Sequence, residues 1–257
     1  RDLGVNIEYA SSVLPRPGVG EYHEEPIGPY YRSGSGSITI TAPAGAEGVM
    51  LHFYTVYWPY YSYSFRIRVY DEYGNYIQFI SPSVMTGRRV YTGIWTFLAM
   101  GREIRLDYYM SYGYFIVDAL VWVKGLEEVD IPDVETPHPY PGGHLVYEVL
   151  APPGTSAFSI HFTRIQLEWP LWDVIGIYDK DWNRITDGFT GDWYHNFYDV
   201  WSPMIPGDRA YVVLDADPVL NQYGFHIDRI AVYREPYPGK IYRDAMLPPI
   251  ETPHPYP

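Results

Sequence analysis

The chain has no cysteine among its 257 residues. That removes disulfides, thiolate nucleophiles, sulfur-ligated zinc and covalent haem attachment. It leaves the compartment open, because a secreted protein need not use disulfides. Long apolar runs are missing as well: no stretch reaches the roughly 18 residues that a membrane-crossing helix needs. No Asn-x-Ser/Thr sequon occurs, so N-glycosylation at that motif is not expected. There is no initiator Met and no signal-peptide pattern, and Arg1 reads as a processed or excised start. Positive charge is scarce. The 18 Lys and Arg face 31 Asp and Glu, a formal net charge of −13. Such a surface disfavours nucleic acid and anionic membranes. It is compatible with calcium, a hard cation that takes oxygen ligands.

Motifs with a catalytic mechanism are absent too. There is no His-Glu-x-x-His, phosphate-binding Gly-Lys-Ser/Thr loop, Gly-x-Ser-x-Gly or paired-His metal spacing. Gly34-Ser-Gly-Ser37 leads into a strand pattern and is not a nucleophile elbow. A glycosidase needs two carboxylates across a cleft, and no pair stands out. The expectation is a protein that is not an enzyme.

What the chain has in abundance is tyrosine, 28 residues, beside 8 Trp, 10 Phe, 23 Gly and 24 Pro. Aromatic residues favour strands, and Gly and Pro punctuate turns, so the mix reads as all-β. No core of this size holds every tyrosine, so many are expected at the surface, where the ring adds contact area and the hydroxyl stays wet.

The chain also repeats itself. Glu135-Thr-Pro-His-Pro-Tyr-Pro141 recurs letter for letter as Glu251 to Pro257. An identical heptamer marks a boundary between repeating units. Around it, Met50-Leu-His-Phe53 answers Ser159-Ile-His-Phe162, and Arg66-Ile-Arg-Val-Tyr-Asp71 answers Val174-Ile-Gly-Ile-Tyr-Asp179, each Tyr-Asp followed by a turn. Glu103-Ile-Arg-Leu-Asp107 answers Tyr211-Val-Val-Leu-Asp215, and Tyr114 to Trp122 answers Phe225 to Tyr233. Short strands at turn spacing, without a helical period, predict two tandem jelly-roll-like antiparallel β-sandwiches. The expected organisation is an arm (1–20), a first sandwich (21–133), a second sandwich (134–249) and a tail repeating the linker motif (250–257). The connectors Glu127 to Pro141 and Glu235 to Pro257 are Pro-rich and read as semi-rigid spacers. In the arm Val5, Ile7 and Tyr9 alternate with polar residues, as a donor strand would.

The second repeat resembles a CUB domain. The resemblance rests on Pro137-His-Pro-Tyr-Pro141 at the opening, the strand Phe162-Thr-Arg-Ile-Gln-Leu-Glu168 and the run Trp172-Asp-Val-Ile-Gly-Ile-Tyr-Asp179. Val213-Leu-Asp-Ala-Asp217 and Gly224-Phe225 complete it, so that it spans roughly Glu135 to Tyr233. It implies an extracellular β-sandwich and a calcium site in the second repeat only, on Glu168, Asp173 and Asp217. Asn221, in the same loop as Asp217, is a further candidate oxygen donor. Calcium takes six to eight oxygens, and three carboxylates without a cation repel one another. The alternative is that these are ordinary solvated loop acids. The family's disulfides are absent, and the first repeat lacks the acids: Tyr57 and Phe65 fall near the Glu168 and Asp173 positions, and Tyr109 near that of Asp217.

Two tyrosine clusters lie at the same predicted end of the first unit. One holds Tyr57, Trp58, Tyr60, Tyr61 and Tyr63, the other Tyr108, Tyr109 and Tyr112. They read as core and cover, as a protein interface, or as a platform for sugar rings. The expected function is a structural subunit of a cell-surface filament or sheath, self-associating into a homopolymer. The arm would add a strand to a neighbour. Tyr140 would anchor the internal heptamer, and Tyr256 would anchor the terminal copy on the next subunit. The alternative is a pair of carbohydrate-binding modules from a larger secreted protein, with a glycan as partner.

Overall fold

The structure, a computed structural model, describes residues 21–57, 65–80, 90–91, 93–168, 173–189 and 196–236. Among the described residues every regular element is a strand, and no helix is long and apolar enough to cross a membrane. The first unit contains β1 (Glu21–Thr41), β2 (Gly48–Tyr57), β3 (Phe65–Asp71), β4 (Tyr76–Ile80), β5 (Val90–Tyr91), β6 (Ile94–Trp95), β7 (Ala99–Met100) and β8 (Glu103–Lys124). The second contains β9 (Glu127–Glu135), β10 (Gly143–Leu150), β11 (Ala157–Gln166), β12 (Val174–Asp179), β13 (Arg184–Phe189), β14 (Phe197–Trp201), β15 (Ile205–Pro206), β16 (Arg209–Ala216) and β17 (Gly224–Tyr233). The arm, with Val5, Ile7 and Tyr9, and the tail, with Tyr256, lie outside the described residues.

The second unit is a two-sheet sandwich. One sheet has the order β10-β16-β12-β13, the other β14-β11-β17-β9. Alternation along the strands turns Phe158, Ile160 and Phe162 inward from one sheet and Ile175, Ile177, Val212 and Leu214 from the other; all are buried. In the first unit the equivalent strands join into one sheet, β4-β3-β8-β2-β5, with β1 beside β8. The reason is strand length. β8 runs 22 residues: its first half pairs with β3 and its second half with β2. β1 follows it along its length with register shifts at Pro26/Tyr30 and Arg32/Gly34. One long strand pair thus turns the corner between layers. In the second unit that corner is broken twice, by the heptamer between β9 and β10 and by residues 217–223 between β16 and β17.

The repeats agree in detail elsewhere. β2 and β8 pair through His52↔Ala119, Phe53↔Val117 and Thr55↔Ile116, and β11 and β17 through His161↔Arg229, Phe162↔Ile227 and Arg164↔His226, with bulges at the same steps. Each bulge presents an aspartate to the histidine opposite: His52 Nδ1 lies 2.6 Å from Asp118 Oδ1, and His161 Nδ1 2.6 Å from Asp228 Oδ1. Burial pushes the Asp228 carboxyl up, but the His161 hydrogen bond and the charges of His161 and Arg229 outweigh it and hold it low. Each histidine also meets a tryptophan, Trp95 at 4.6 Å and Trp201 at 4.7 Å between ring centroids.

The turn after each Tyr-Asp is duplicated bond for bond. Asp71 Oδ1 accepts from the backbone N–H of Tyr73 and Asn75, and Oδ2 from the Asn75 amide; Asp179 does the same for Asp181 and Asn183. Both turns need a left-handed residue before the asparagine. The first supplies Gly74 (φ 83°), the second Trp182 (φ 60°). A side chain in that conformation costs roughly 1–2 kcal/mol that glycine avoids.

Three expectations are corrected. Glu127 to Glu135, read as spacer, is the strand β9, paired with β17 from Glu127↔Val232 to Glu135↔His226. It occupies the place that Glu21 onward takes beside β8, so residues 127–133 lie in the second unit's sheet. The pairings Asp71↔Ile104 and Asp179↔Ala210 make Ile104 the counterpart of Ala210, so Tyr109 answers Asp215 and not Asp217. A two-residue slip leaves every side chain on its original face, so hydrophobic alternation alone does not detect it. Likewise Tyr57↔Tyr114 and Gln166↔Gly224 show that Tyr57 answers Gln166 and not Glu168.

The units are packed and not merely strung together. Met50, Leu98, Val121 and Val123 meet Ala157, Trp201, Met204, Ala231 and Tyr233 in a shared apolar cluster. The Leu98 N–H donates to the Trp201 carbonyl (3.1 Å), and the rings of Tyr76 and Phe197 sit 5.1 Å apart. Between β8 and β9 stand only Gly125 and Leu126, whose N–H groups both donate to Glu47 Oε2 (2.8 and 2.9 Å).

Candidate metal centre

The broken corner of the second unit gathers acids from three separate places. Glu168 follows β11, Asp173 precedes β12, and Asp217 follows β16. One carboxylate oxygen from each lies within 4.8 Å of the others. The sequence analysis named these three, and the fold brings them together. Asp173 is fully buried. Its Oδ1 accepts from the Asp217 N–H (2.9 Å), and its Oδ2 accepts from the Tyr140 hydroxyl. That hydroxyl in turn accepts from the Glu168 N–H (3.1 Å). Asp217 Oδ1 accepts from the Val219 N–H (2.7 Å), which shapes the loop carrying Asn221.

The three acids crowd one another. Burial raises the Glu168 carboxyl above the usual carboxylate range, and the charges of Asp173 and Asp217 raise it further. Burial also raises Asp173, against the hydrogen bonds from Tyr140 and the Asp217 N–H, with the Asp217 charge adding to the rise. Glu168 Oε2 and Asn221 Oδ1 are buried acceptors without a hydrogen-bond partner. A buried acceptor left unmatched costs about 1–3 kcal/mol. An oxygen-rich site of this kind fits a hard divalent cation, which would offset the repulsion among the three carboxylates.

The heptamer closes one side of the site. The Thr136 N–H donates to the Phe225 carbonyl (3.2 Å), and Thr136 Oγ1 accepts from the Phe225 N–H (3.2 Å). His138 stacks on Tyr223 at 3.7 Å, and its Nδ1 donates to the Tyr223 carbonyl (2.6 Å). Tyr140, expected to anchor the heptamer, is 1% exposed, and its N–H donates to the Gln222 carbonyl (3.3 Å). Gly224 is left-handed (φ 93°), and a Cβ there would overlap Thr136 and crowd Tyr140. This position therefore excludes other residues on two grounds.

The first unit closes the same end with aromatic rings. Phe65, 1% exposed, stands where Asp173 stands in the second. Tyr57 packs on Tyr114 (5.2 Å) and Tyr108 on Phe115 (5.3 Å), so these two tyrosines serve packing. Tyr109 and Tyr112 remain exposed, with Arg66 over the Tyr109 ring at 5.2 Å. Trp58, Tyr60, Tyr61 and Tyr63 lie outside the described residues. Sequence reasoning missed the paired His–Asp contacts. The aligned segments match His52 with His161 but set Asp118 against Arg229; the pairings Gly48↔Val123 and Ala157↔Tyr233 shift the last strands by one residue and match Asp118 with Asp228. The bond from Tyr140 to Asp173 had no signal in the aligned segments.

No family model matches the chain, and no curated protein does. Among solved structures it is similar to the CUB1-EGF-CUB2 domains of rat MASP-1, at 12% identity and a TM-score of 0.31, covering 88% of this chain and 99% of that one. It is similar also to the CUB1-EGF-CUB2 domain of human MASP-1/3, at 11% identity and a TM-score of 0.30, covering 82% and 99%. A third likeness is to the full extracellular region of zebrafish Gpr126/Adgrg6, at 12% identity and a TM-score of 0.27, covering 90% of this chain and 37% of that one.

Proposed function

We propose that this chain is a non-enzymatic extracellular protein whose two CUB-like sandwiches form a calcium-stabilised structural subunit, self-associating at the cell surface. The observation that carries the calcium part is the convergence of Glu168, Asp173 and Asp217 within 4.8 Å, with Glu168 Oε2 buried and without a hydrogen-bond partner. Calcium would sit among these three carboxylates, with Asn221 as a further oxygen donor. There it would tie together the ends of β11, β12 and β16. The role is mechanical: a cation locking three loops stiffens one end of the module.

Support for a structural role comes from the packed unit interface around Leu98 and Trp201, which turns two modules into one building block. Assembly rests on the sequences of the arm and tail. The internal heptamer sets a condition on it. Its socket is made by Asp173, Gln222, Tyr223 and Phe225, all of the second unit, and the first unit has Phe65 where Asp173 would be. In each copy of this chain that socket already holds the chain's own heptamer, so a terminal heptamer docking on a neighbour would have to use other contacts.

Negative-stain microscopy and sedimentation velocity of the purified chain test this reading. Polymers formed with calcium, and lost on deleting residues 1–10 or truncating after Ile250 without a fall in melting temperature, are expected. A chain that stays monomeric with calcium at high concentration would overturn the assembly reading, leaving the calcium site to its own test.

A further inference from the structure

We propose that the Asp179–Asn183 turn of the second unit carries a carbohydrate-binding platform, with Trp182 as its stacking surface and a β-linked, equatorially substituted pyranose chain as its ligand. This inference does not depend on calcium or on assembly. The platform lies at the far end of β12 from Asp173, with Val174–Asp179 between them.

The first argument is geometric. Trp182 lies parallel to Tyr211, with ring centroids 4.4 Å apart and 9° between planes. One face of the indole is therefore covered. At 51% exposure, the other face is open to solvent. Tyr178 extends the surface, 5.6 Å from Trp182. Its ring lies down over Gly176, where a Cβ would sit 2.8 Å from it. The result is an indole with one face stacked and the other open, and the Tyr178 ring tilted 48° beside it.

The second argument is comparative and independent of the first. The first unit builds the same turn, with the same hydrogen bonds, around Gly74. The second places its indole at a backbone angle that favours glycine. The turn itself therefore does not call for Trp182. Strain held in a well-determined turn, with a large aromatic exposed, points to a binding role.

The third argument is chemical. A pyranose with equatorial hydroxyls presents a face of axial C–H groups to a ring and its hydroxyls around the edge. The rim supplies partners for those hydroxyls. Glu148 and Arg209 pair at 2.5 Å, and Glu148 stands opposite Tyr211 across the strand pair. Lys180 and Asp181 pair at 2.9 Å in the turn. Charged, hydrogen-bonding groups around an apolar centre are the layout of a specific polar ligand site.

Calorimetric titration of the intact chain with cellohexaose and with chitohexaose tests the proposal, with and without chelator. Saturable binding of at least one hexaose, unchanged by chelator, is expected. Trp182→Gly should weaken it at least about tenfold, since an aromatic anchor dominates such a site, while the melting temperature holds or rises. Trp182→Phe, which keeps a smaller ring, should retain part of the affinity even if the glycine variant folds poorly. Failure of both hexaoses to bind at millimolar concentration overturns the proposal. So does equal binding by wild type and Trp182→Phe together with a lower melting temperature for Trp182→Gly, which would assign the indole to packing on Tyr211.

Discussion

The hydroxyl of Tyr140 donates to Asp173 Oδ2, joining the repeated heptamer to the buried acid of the carboxylate cluster. The Tyr140 hydroxyl oxygen in turn accepts from the Glu168 N–H, so one side chain fixes two of the three acid-bearing segments. Tyr140→Phe keeps the ring and removes the hydroxyl. A hydrogen bond to a charged group contributes about 1.5–3 kcal/mol. The variant should lose stability in that range by denaturant unfolding and bind calcium more weakly. Unchanged calcium affinity would show that the hydroxyl does not position Asp173.

Chelation should lower the melting temperature of the chain. A ligand that binds only the native state, at 100 times its dissociation constant, adds about 2.7 kcal/mol. Asp173→Asn should abolish the response to calcium. Differential scanning calorimetry with calcium and with chelator checks both. Superimposable scans for the wild type would remove calcium from this site.

The pH dependence should change sign with the cation. Glu168 and Asp173 are raised in the cation-free fold, by burial and by mutual repulsion. A carboxylate raised on folding contributes stability that is present below its ordinary pKa and lost as pH rises through the raised value. Without calcium, acidification from neutrality through that window should therefore stabilise the chain. With calcium, protons compete with the cation, and the same acidification should destabilise it. Asp228 is held low, so its contribution is lost only further down, as pH falls below the ordinary carboxylate range. Melting temperatures across this window, with and without chelator, should converge as pH falls. Parallel curves would count against a cation among these acids.

Leu98 is 1% exposed and sits between the units. Leu98→Asp buries an unpaired charge there, a change that costs several kcal/mol. The two sandwiches should come apart while each keeps its own core. Small-angle scattering should show a longer particle, and a single melting transition should split in two. A compact variant with one transition would mean that the interface does not hold the pair together.

The all-β class was legible because Val, Ile and aromatic residues alternate with polar ones between Gly and Pro turns. The repeat was legible for the same reason, down to His52 with His161 and Asp71 with Asp179. Alternation carries face but not exact register, so the two-residue slip that set Tyr109 against Asp217 passed unnoticed. The Pro-rich stretch misled differently. Pro and charged residues suit a spacer, but they also suit the exposed edge strand that Glu127–Glu135 forms beside β17.

By itself the sequence determined the all-β class, which turns recur and which acids the second unit has and the first lacks. Those are properties of local pattern, and pattern is written along the chain. Tertiary structure alone decided that β1 and β8 carry the first unit round its corner unbroken while the second unit opens there. It also decided that Tyr140 reaches Asp173, that Trp182 lies on Tyr211, and that Leu98 meets Trp201 across the units. Each of these joins residues far apart in sequence through burial and hydrogen bonding, forces that depend on distance in space and leave no period in the chain.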